Sequence, residues 1–194
     1  MKRIVSTISL LALVAFTTTG CGIVTVVPIG EEASFTNEST FDAGEEAADS
    51  WDVIVEEITA NAQDLATLKA AGTEKKATYS VSFTGTVEEY NTDTPKGYLL
   101  VSVDGVSDEV HVAVGKVFSG TSVRDSQTYK SYQDFTNQTE WSEYAKTINE
   151  NVMTNVVESL DLESITGSTV NVVGCFAEDE SGTIVVTPVS ITVQ

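Results

Sequence analysis

The side chains best suited to bind a ligand are concentrated in residues 120–141. Arg124 is one of only two arginines in the chain, and its planar guanidinium offers five donors to carboxylates or sugar hydroxyls. Further hydrogen-bonding and aromatic side chains follow in the same stretch, namely Asp125, Tyr132, Asp134, Phe135, Asn137, Gln138 and Trp141. Planar polar groups beside aromatic faces are typical of carbohydrate or polar-ligand sites. We therefore predict that this stretch binds a small polar ligand or a partner.

A purely structural role for these residues is an equally physical interpretation. Arg124 can pair with Asp125 or Asp134 and so tie a long loop to the domain, while Asn137 can cap a helix. Under either interpretation, we expect Arg124 to organise this connection.

The sequence contains no motif that indicates catalysis. His111 is the only histidine, and it alternates with Val110 and Val112, which predicts a solvated residue on the outer face of a strand. Because no nucleophile motif accompanies His111, a hydrolase is only a remote alternative. We expect no enzymatic activity and no cofactor. One histidine and one free cysteine also offer no zinc or copper site.

Two weaker patterns concern phosphate and calcium. Residues 115–120 have the glycine spacing of a phosphate loop, but Thr121 stands where that loop needs its lysine. Acidic pairs in predicted turns lack the spacing of a calcium loop, so we expect solvated turn charges and no metal. These pairs are Asp104 with Asp108 and Asp179 with Glu180.

The first residues have the pattern of a secretion signal. Lys2 and Arg3 precede a mostly apolar run over residues 4–16. Crossing a bilayer takes about 20 apolar residues, so this run is too short to be a permanent membrane anchor.

Cys21 follows four small residues, 17–20, in a pattern that resembles a lipoprotein signal. Thr18 departs from it, because leucine is usual at that place. The pattern predicts that residues 1–20 are removed and that Cys21 is lipidated, which leaves Cys175 as a lone, buried thiol. An ordinary secreted protein with a plain Cys21 thiol is the alternative.

The charge of the mature chain excludes two classes of partner. Removal of Lys2 and Arg3 leaves eight basic against 29 acidic side chains, a formal charge of −21. Nucleic acids and anionic lipid headgroups are both bound through cations, so neither is an expected partner. Membrane attachment must then come from the lipid on Cys21. A lipidated Cys21 places the protein outside the cytoplasm, in the periplasm or on the outer leaflet of the cell membrane.

The mature chain divides into a tether and one domain. Residues 21–41 begin with the apolar run GIVTVVPIG and become acidic, which predicts a lipid-anchored tether, although the apolar part can instead dock on the domain. Residues 42–194 are long enough for a single domain with its own core.

Hydrophobic periodicity predicts the elements of this domain. Three- and four-residue spacing predicts one long amphipathic helix over residues 43–71, capped by Asp42 and ended by Gly72. The apolar face of this helix packs either on its own domain or on another protein. A second helix starts at a capping box of Asn137 with Glu140. Period-two alternation predicts a first strand around Tyr79, Val81 and Phe83 with a bulge at residues 85–87. Four more strands are predicted at residues 98–103, 109–114, 169–176 and 183–193. Pro188 implies that the last strand is at an edge of the sheet or is bulged there.

This element order predicts an α+β fold, in which the N-terminal amphipathic helix packs on a five-stranded OB-like antiparallel β-barrel with a helix between strands 3 and 4. An open sheet with helices on one face has the same order. The barrel is favoured because Gly85 permits the sharp bend that closure requires.

Several long segments resemble one family. They are VVPIG after Cys21, TFDAGEEAADSWD, VGKVFSGTSVRD, YQDFTNQTEWSEYAKTIN and GCFAEDESGTIVVTPVSI. They resemble the bacterial predicted periplasmic lipoproteins classified as domain of unknown function 2291. Genes of that family often lie beside sugar-uptake transporter genes. The resemblance therefore implies an accessory or binding role near an ABC-type sugar importer or its binding protein, and it implies no catalytic residue. A structural envelope lipoprotein without a small-molecule ligand is the alternative.

Overall fold

The computed structural model describes residues 42–194, which open with helix α1, Ala43–Asn61. The carboxylate of Asp42 accepts hydrogen bonds from the N–H groups of Gly44 and Glu45, so the predicted N-cap is confirmed. The predicted signal peptide, lipidated Cys21 and tether lie outside the described residues.

The prediction of one helix over residues 43–71 is wrong, because the chain turns after α1. Gln63–Asp64 form a short strand, β1, parallel to the next strand, and a separate helix, α2, spans Leu65–Ala71. Asp64 starts α2 by accepting hydrogen bonds from the N–H and hydroxyl of Thr67. Gly72 ends it at φ 95°, as predicted. The break has a physical reason: Leu65 and Leu68 pack inside the barrel, whereas the apolar face of α1 packs outside it.

Five strands close into the predicted barrel. They are β2 (Thr78–Asn91), β3 (Tyr98–Ser102), β4 (Glu109–Ala113), β5 (Thr169–Ala177) and β6 (Thr183–Val193). The strands pair in the order β2-β3-β4-β6-β5, and β5 returns to β2. All these pairs are antiparallel except β4 with β6, which is parallel. The bounds of β3 to β6 fall within one residue of the prediction.

Strand β2 closes the barrel by pairing with two different strands. Its first half, to Thr86, pairs with β5, and its second half, from Thr86, pairs with β3. The register shifts between Val87 and Glu89, so the bulge lies immediately after the predicted position. A second shift, opposite Pro188, confirms that β6 is bulged there.

Two apolar cores lie on opposite sides of the barrel wall. One fills the barrel, and the other lies between the wall, α1 and helix α4 (Gln138–Val152), which connects β4 to β5 as predicted. Cys175 is fully buried in the second core, where burial raises the pKa of its thiol to about 11. The prediction of a buried free thiol is confirmed.

A partly buried ion network joins α2 to two connections between strands. The Lys69 ammonium lies 2.7 Å from a carboxylate oxygen of Glu178 and 2.9 Å from one of Asp108. Thr73 also donates to Glu178, and together with Lys69 it lowers the pKa of that carboxyl to about 2. Asp108 is therefore part of an ion network and not the solvated turn charge that we predicted.

Glu178→Gln is expected to lower the free energy of unfolding by about 2 kcal/mol at neutral pH, because Lys69 loses a buried charged partner. Since folding lowers the pKa of Glu178, its contribution is complete above the unfolded pKa of about 4.5 and disappears as the pH falls toward 2. Urea unfolding at pH 7, 4 and 3 should show the two proteins converging. The control Glu180→Gln breaks an exposed pair with Lys75 and should cost under about 0.5 kcal/mol. A constant difference across this range would contradict the expected linkage.

Candidate functional site

Arg124 connects two helices through contacts made by all three nitrogen atoms of its guanidinium group. It lies on the short helix α3, Ser122–Ser126, and its Nε and Nη2 atoms are 2.8 and 2.7 Å from one carboxylate oxygen of Asp125. Nη1 donates to the main-chain oxygen of Trp141 at 3.3 Å, and the guanidinium carbon lies 4.3 Å from the centre of the Trp141 ring. The side chain is only 12% exposed. These contacts clamp α3 to the start of α4.

Two aromatic residues of the predicted site extend this clamp into the second core. The ring of Phe135 lies 5.0 Å from the rings of both Trp141 and Tyr144. Tyr144 is fully buried, and burial raises the pKa of its hydroxyl. Phe135 and Trp141 therefore cover the core more than they face a ligand.

The other predicted site residues mainly organise helix ends. Asp134 accepts hydrogen bonds from the N–H and hydroxyl of Ser131, which lower its pKa, so it does not pair with Arg124. Asn137 caps α4 by accepting from Thr139 and Glu140.

The predicted capping box is only half formed, because the Glu140 carboxylate accepts from the main-chain N–H of Thr136 and from the side-chain amide of Asn137, but not from the main-chain N–H of Asn137. Gln138 contacts Ser142, and the ring of Tyr132 is about half exposed.

The structure thus brings together four of the eight predicted residues, Arg124, Asp125, Phe135 and Trp141. Their contacts favour the structural interpretation, and ligand binding by this stretch stays a prediction.

Sequence reasoning considered residues 115–121 only as an incomplete phosphate loop and missed that this segment, which precedes α3, separates two cavities. The first, which we call the α4 groove, has a volume of about 550 Å³ and lies between this segment and α4. Its lining comprises Lys116, Val117, Phe118, Gly120, Thr121, Ser142, Ala145, Lys146, Asn149, Glu150, Met153 and Thr154. None of the eight predicted residues is among them.

The second cavity, which we call the sheet pocket, has a volume of about 250 Å³ on the outer face of β3, β4 and β6. Its lining comprises Thr94, Lys96, Gly97, Tyr98, His111, Ala113, Val117, Phe118, Ser119, Val185 and Thr187. The rings of Tyr98 and His111 stack at 3.8 Å with only 8° between their planes. Val117 and Val185, both about half exposed, flank the pair.

His111 lies on the outer face of β4, but it is not the fully solvated residue that we predicted. Stacking on Tyr98 leaves its side chain 17% exposed, and its Nε2 atom is 3.5 Å from a carboxylate oxygen of Glu109. The alternation within β3 and β4 indicates only that Tyr98 and His111 face outward. The cross-strand register that places their rings together is tertiary information.

Residues 115–120 do not form a phosphate cradle. A side chain at Gly115 would place its Cβ 2.2 Å from the main chain of Lys96, so this glycine permits the close approach of two chain segments. The glycine spacing therefore reflects packing at this position.

Ion pairs involve some of the eight basic residues of the described part and not others. Five of them form ion pairs there: Lys69, Lys75, Arg124, Lys130 and Lys146. Lys96 and Lys116, beside the two cavities, form no ion pair among residues 42–194. In the same residues, no three acidic, histidine or cysteine side chains are placed to hold a metal ion. Nor does any helix there have the length and apolar content needed to cross a membrane.

The closed barrel with the helix between β4 and β5 defines an OB-type fold with added helices. A solved structure of similar fold is an OB-fold protein from Thermotoga maritima, with a TM-score of 0.65 over 80% of this chain and 100% of that one. At 16% identity, the similarity concerns the fold alone. No curated protein matches the chain significantly.

The chain belongs to the predicted periplasmic lipoprotein family DUF2291, whose family model matches residues 11–192. This confirms the family resemblance seen in the sequence. It also identifies the chain as a membrane-anchored lipoprotein outside the cytoplasm.

Proposed function

We propose that this protein is a noncatalytic, lipid-anchored accessory protein of sugar uptake that holds a small polar solute in the sheet pocket. The observation that carries the proposal is the stacked pair of Tyr98 and His111 at the wall of a small cavity. A flat ring surface of this kind suits the C–H face of a sugar ring.

The polar lining of the pocket supports a hydroxylated ligand. Thr94, Ser119 and Lys96 offer hydroxyl and ammonium groups, and His111 adds a ring nitrogen. A volume of about 250 Å³ lies below the range of drug-sized sites, which favours a monosaccharide over a larger ligand.

The transport part of the proposal rests on the family. Its genes often lie beside those of sugar-uptake transporters, and a lipid anchor keeps the domain at the membrane where an ABC-type importer or its binding protein works. The strongly negative charge of the mature chain argues against nucleic acid as the partner.

We expect His111→Ala to abolish the thermal stabilisation of the domain by its sugar, because the substitution removes one ring of the stacked pair. A ligand at 100 times its dissociation constant adds about 2.7 kcal/mol to stability, which a melting experiment detects readily. The measurement is a thermal-shift screen of monosaccharides, amino acids and nucleosides. His111→Phe, which keeps a stacked ring, should retain part of the effect, and Ser102→Ala, at the exposed end of β3, should retain all of it.

Two results would redirect this proposal. Binding that depends on Arg124 and not on His111 would move the site to residues 124–141, as first predicted from the sequence. If no compound shifts the melting temperature and no importer component copurifies, the structural envelope lipoprotein becomes the better interpretation. A hydrolase would be indicated only if His111→Ala removed a measured hydrolytic activity.

A further inference from the structure

The α4 groove has an apolar floor that is open to solvent. Val117, Phe118, Ala145 and Met153 line it, and the side chain of Val117 is 49% exposed. Covering such a floor with an apolar chain is favourable, because it removes apolar surface from water.

The two banks of the groove each carry a cation. Lys116 lies on the segment 115–121 and Lys146 on α4. Lys116 has no ion pair among residues 42–194. Lys146 has only a loose, exposed one with Glu150 at 3.5 Å, and that carboxylate also lines the groove. In a domain with far more acidic than basic residues, the charged side chains that line this groove, two lysines and Glu150, carry a formal charge of +1.

The end of the groove is formed by an unusual helical turn. Met153–Val157 form a π-helical turn, in which the N–H of Glu158 donates to the main-chain oxygen of Met153 at 3.0 Å. Such turns are often found at functional sites. The turn places Met153 and Thr154 in the groove, and the flexible thioether of Met153 can adapt to an apolar ligand.

We propose that the α4 groove binds a free single-chain amphiphile, whose alkyl chain lies on the apolar floor and whose anionic head is held between Lys116 and Lys146. Charge complementarity selects an anionic head, because a cationic head would face both ammonium groups. This inference is independent of the sugar proposal, since the sheet pocket lies on the other side of Val117 and Phe118.

A single NMR signal can report on this site. Met153 is the only methionine of the mature chain, because Met1 is removed with the signal, so a ¹³C-methyl methionine label reports from the groove alone. The protein for this experiment is the mature chain carrying Cys21→Ser, which keeps acyl groups out of the assay. Three ligands with chains of ten carbons, the carboxylate carbon of decanoate included, are titrated below their micellar concentrations: decanoate, decyl maltoside and decyltrimethylammonium.

Decanoate is expected to shift the Met153 methyl signal to saturation and to bind at least about ten times more tightly than decyl maltoside, with decyltrimethylammonium weaker still. In Lys116→Glu/Lys146→Glu, the affinity for decanoate should fall at least about tenfold, while that for decyl maltoside changes less than about twofold. The matched control is Lys75→Glu/Lys76→Glu, which makes the same change in net charge away from the groove and should leave both affinities unchanged.

Three outcomes would overturn the proposal. If all three ligands bind equally, the groove is merely apolar. If the charge reversal leaves decanoate binding intact, the lysines do not select the head. If decanoate leaves the Met153 signal unmoved while vesicles of anionic lipid shift it, the groove contacts a membrane surface and not a free amphiphile. Circular dichroism of both double variants distinguishes a lost site from a lost fold.

Discussion

Gly85→Ala is expected to lower the free energy of unfolding by about 3 kcal/mol, at the upper end of the usual cost of overpacking. The added Cβ would lie 2.5 Å from the main-chain oxygen of Ser102 and 2.5 Å from a methyl group of Val101. The Ser102 oxygen belongs to β3, so it cannot retreat without weakening the pairing of β3 with β2. This is where β2 changes its partner from β5 to β3. The substitution therefore strains the closure of the barrel itself.

Urea unfolding measures this effect, with Gly44→Ala as the matched control. Gly44 lies in the first turn of α1, where its added Cβ would meet only the capping carboxylate oxygen of Asp42 at 3.1 Å, a contact that a shift of this exposed side chain by a few tenths of an ångström relieves. Because alanine is the better helix former, this control should be neutral or stabilise by up to about 1 kcal/mol. If the two variants were equally stable, close strand approach would not explain why glycine occupies position 85.

Arg124→Ala is expected to cost about 3 kcal/mol of stability. The substitution removes a charge-assisted pair with Asp125, the hydrogen bond to Trp141 and the stacking of the guanidinium on the Trp141 ring. Since the side chain is only 12% exposed, these contacts are poorly screened by water. Arg124→Lys should recover less than half of the loss, because an ammonium group cannot reproduce the planar fork.

The measurement is again urea unfolding, with the exposed Lys146→Ala as the control, for which a change under about 0.5 kcal/mol is expected. A double-mutant cycle with Trp141→Leu should yield a coupling energy of about 1 kcal/mol. If Arg124→Ala instead left stability unchanged and abolished solute binding, Arg124 would be a ligand-binding residue. The clamp interpretation would then be wrong.

The elements of the barrel were predictable because each strand carries its own pattern. In β4, Val110 and Val112 face the core while His111 faces outward, so alternation alone locates the strand. The interruption of the first helix was not predictable in this way. Leu65 and Leu68 continue the helical spacing of α1, yet they belong to a different core. Periodicity reports that a side chain is buried, but it does not report against which surface.

The candidate site was predictable only in part. Arg124 was expected to organise this connection, and its contacts with Asp125 and Trp141 support that interpretation. Sequence reasoning could not decide that Arg124 would turn toward Asp125 and Trp141, because both carboxylates were within reach along the chain. The two cavities beside residues 115–121 had no local signal, since their walls come from distant parts of the chain.

By itself, the sequence determined the acidic charge, the order of the five barrel strands and the presence of a helix between β4 and β5, and it predicted the secretion signal with its candidate lipidated cysteine. These features depend on residue types and short-range spacing. Only the tertiary structure decided the parallel pairing of β4 with β6, the stacking of Tyr98 on His111 and the presence of Lys116 and Lys146 in the lining of one groove. Those features join residues that are far apart in the chain. Their formation depends on how the barrel closes and how α4 packs on it, which no local pattern encodes.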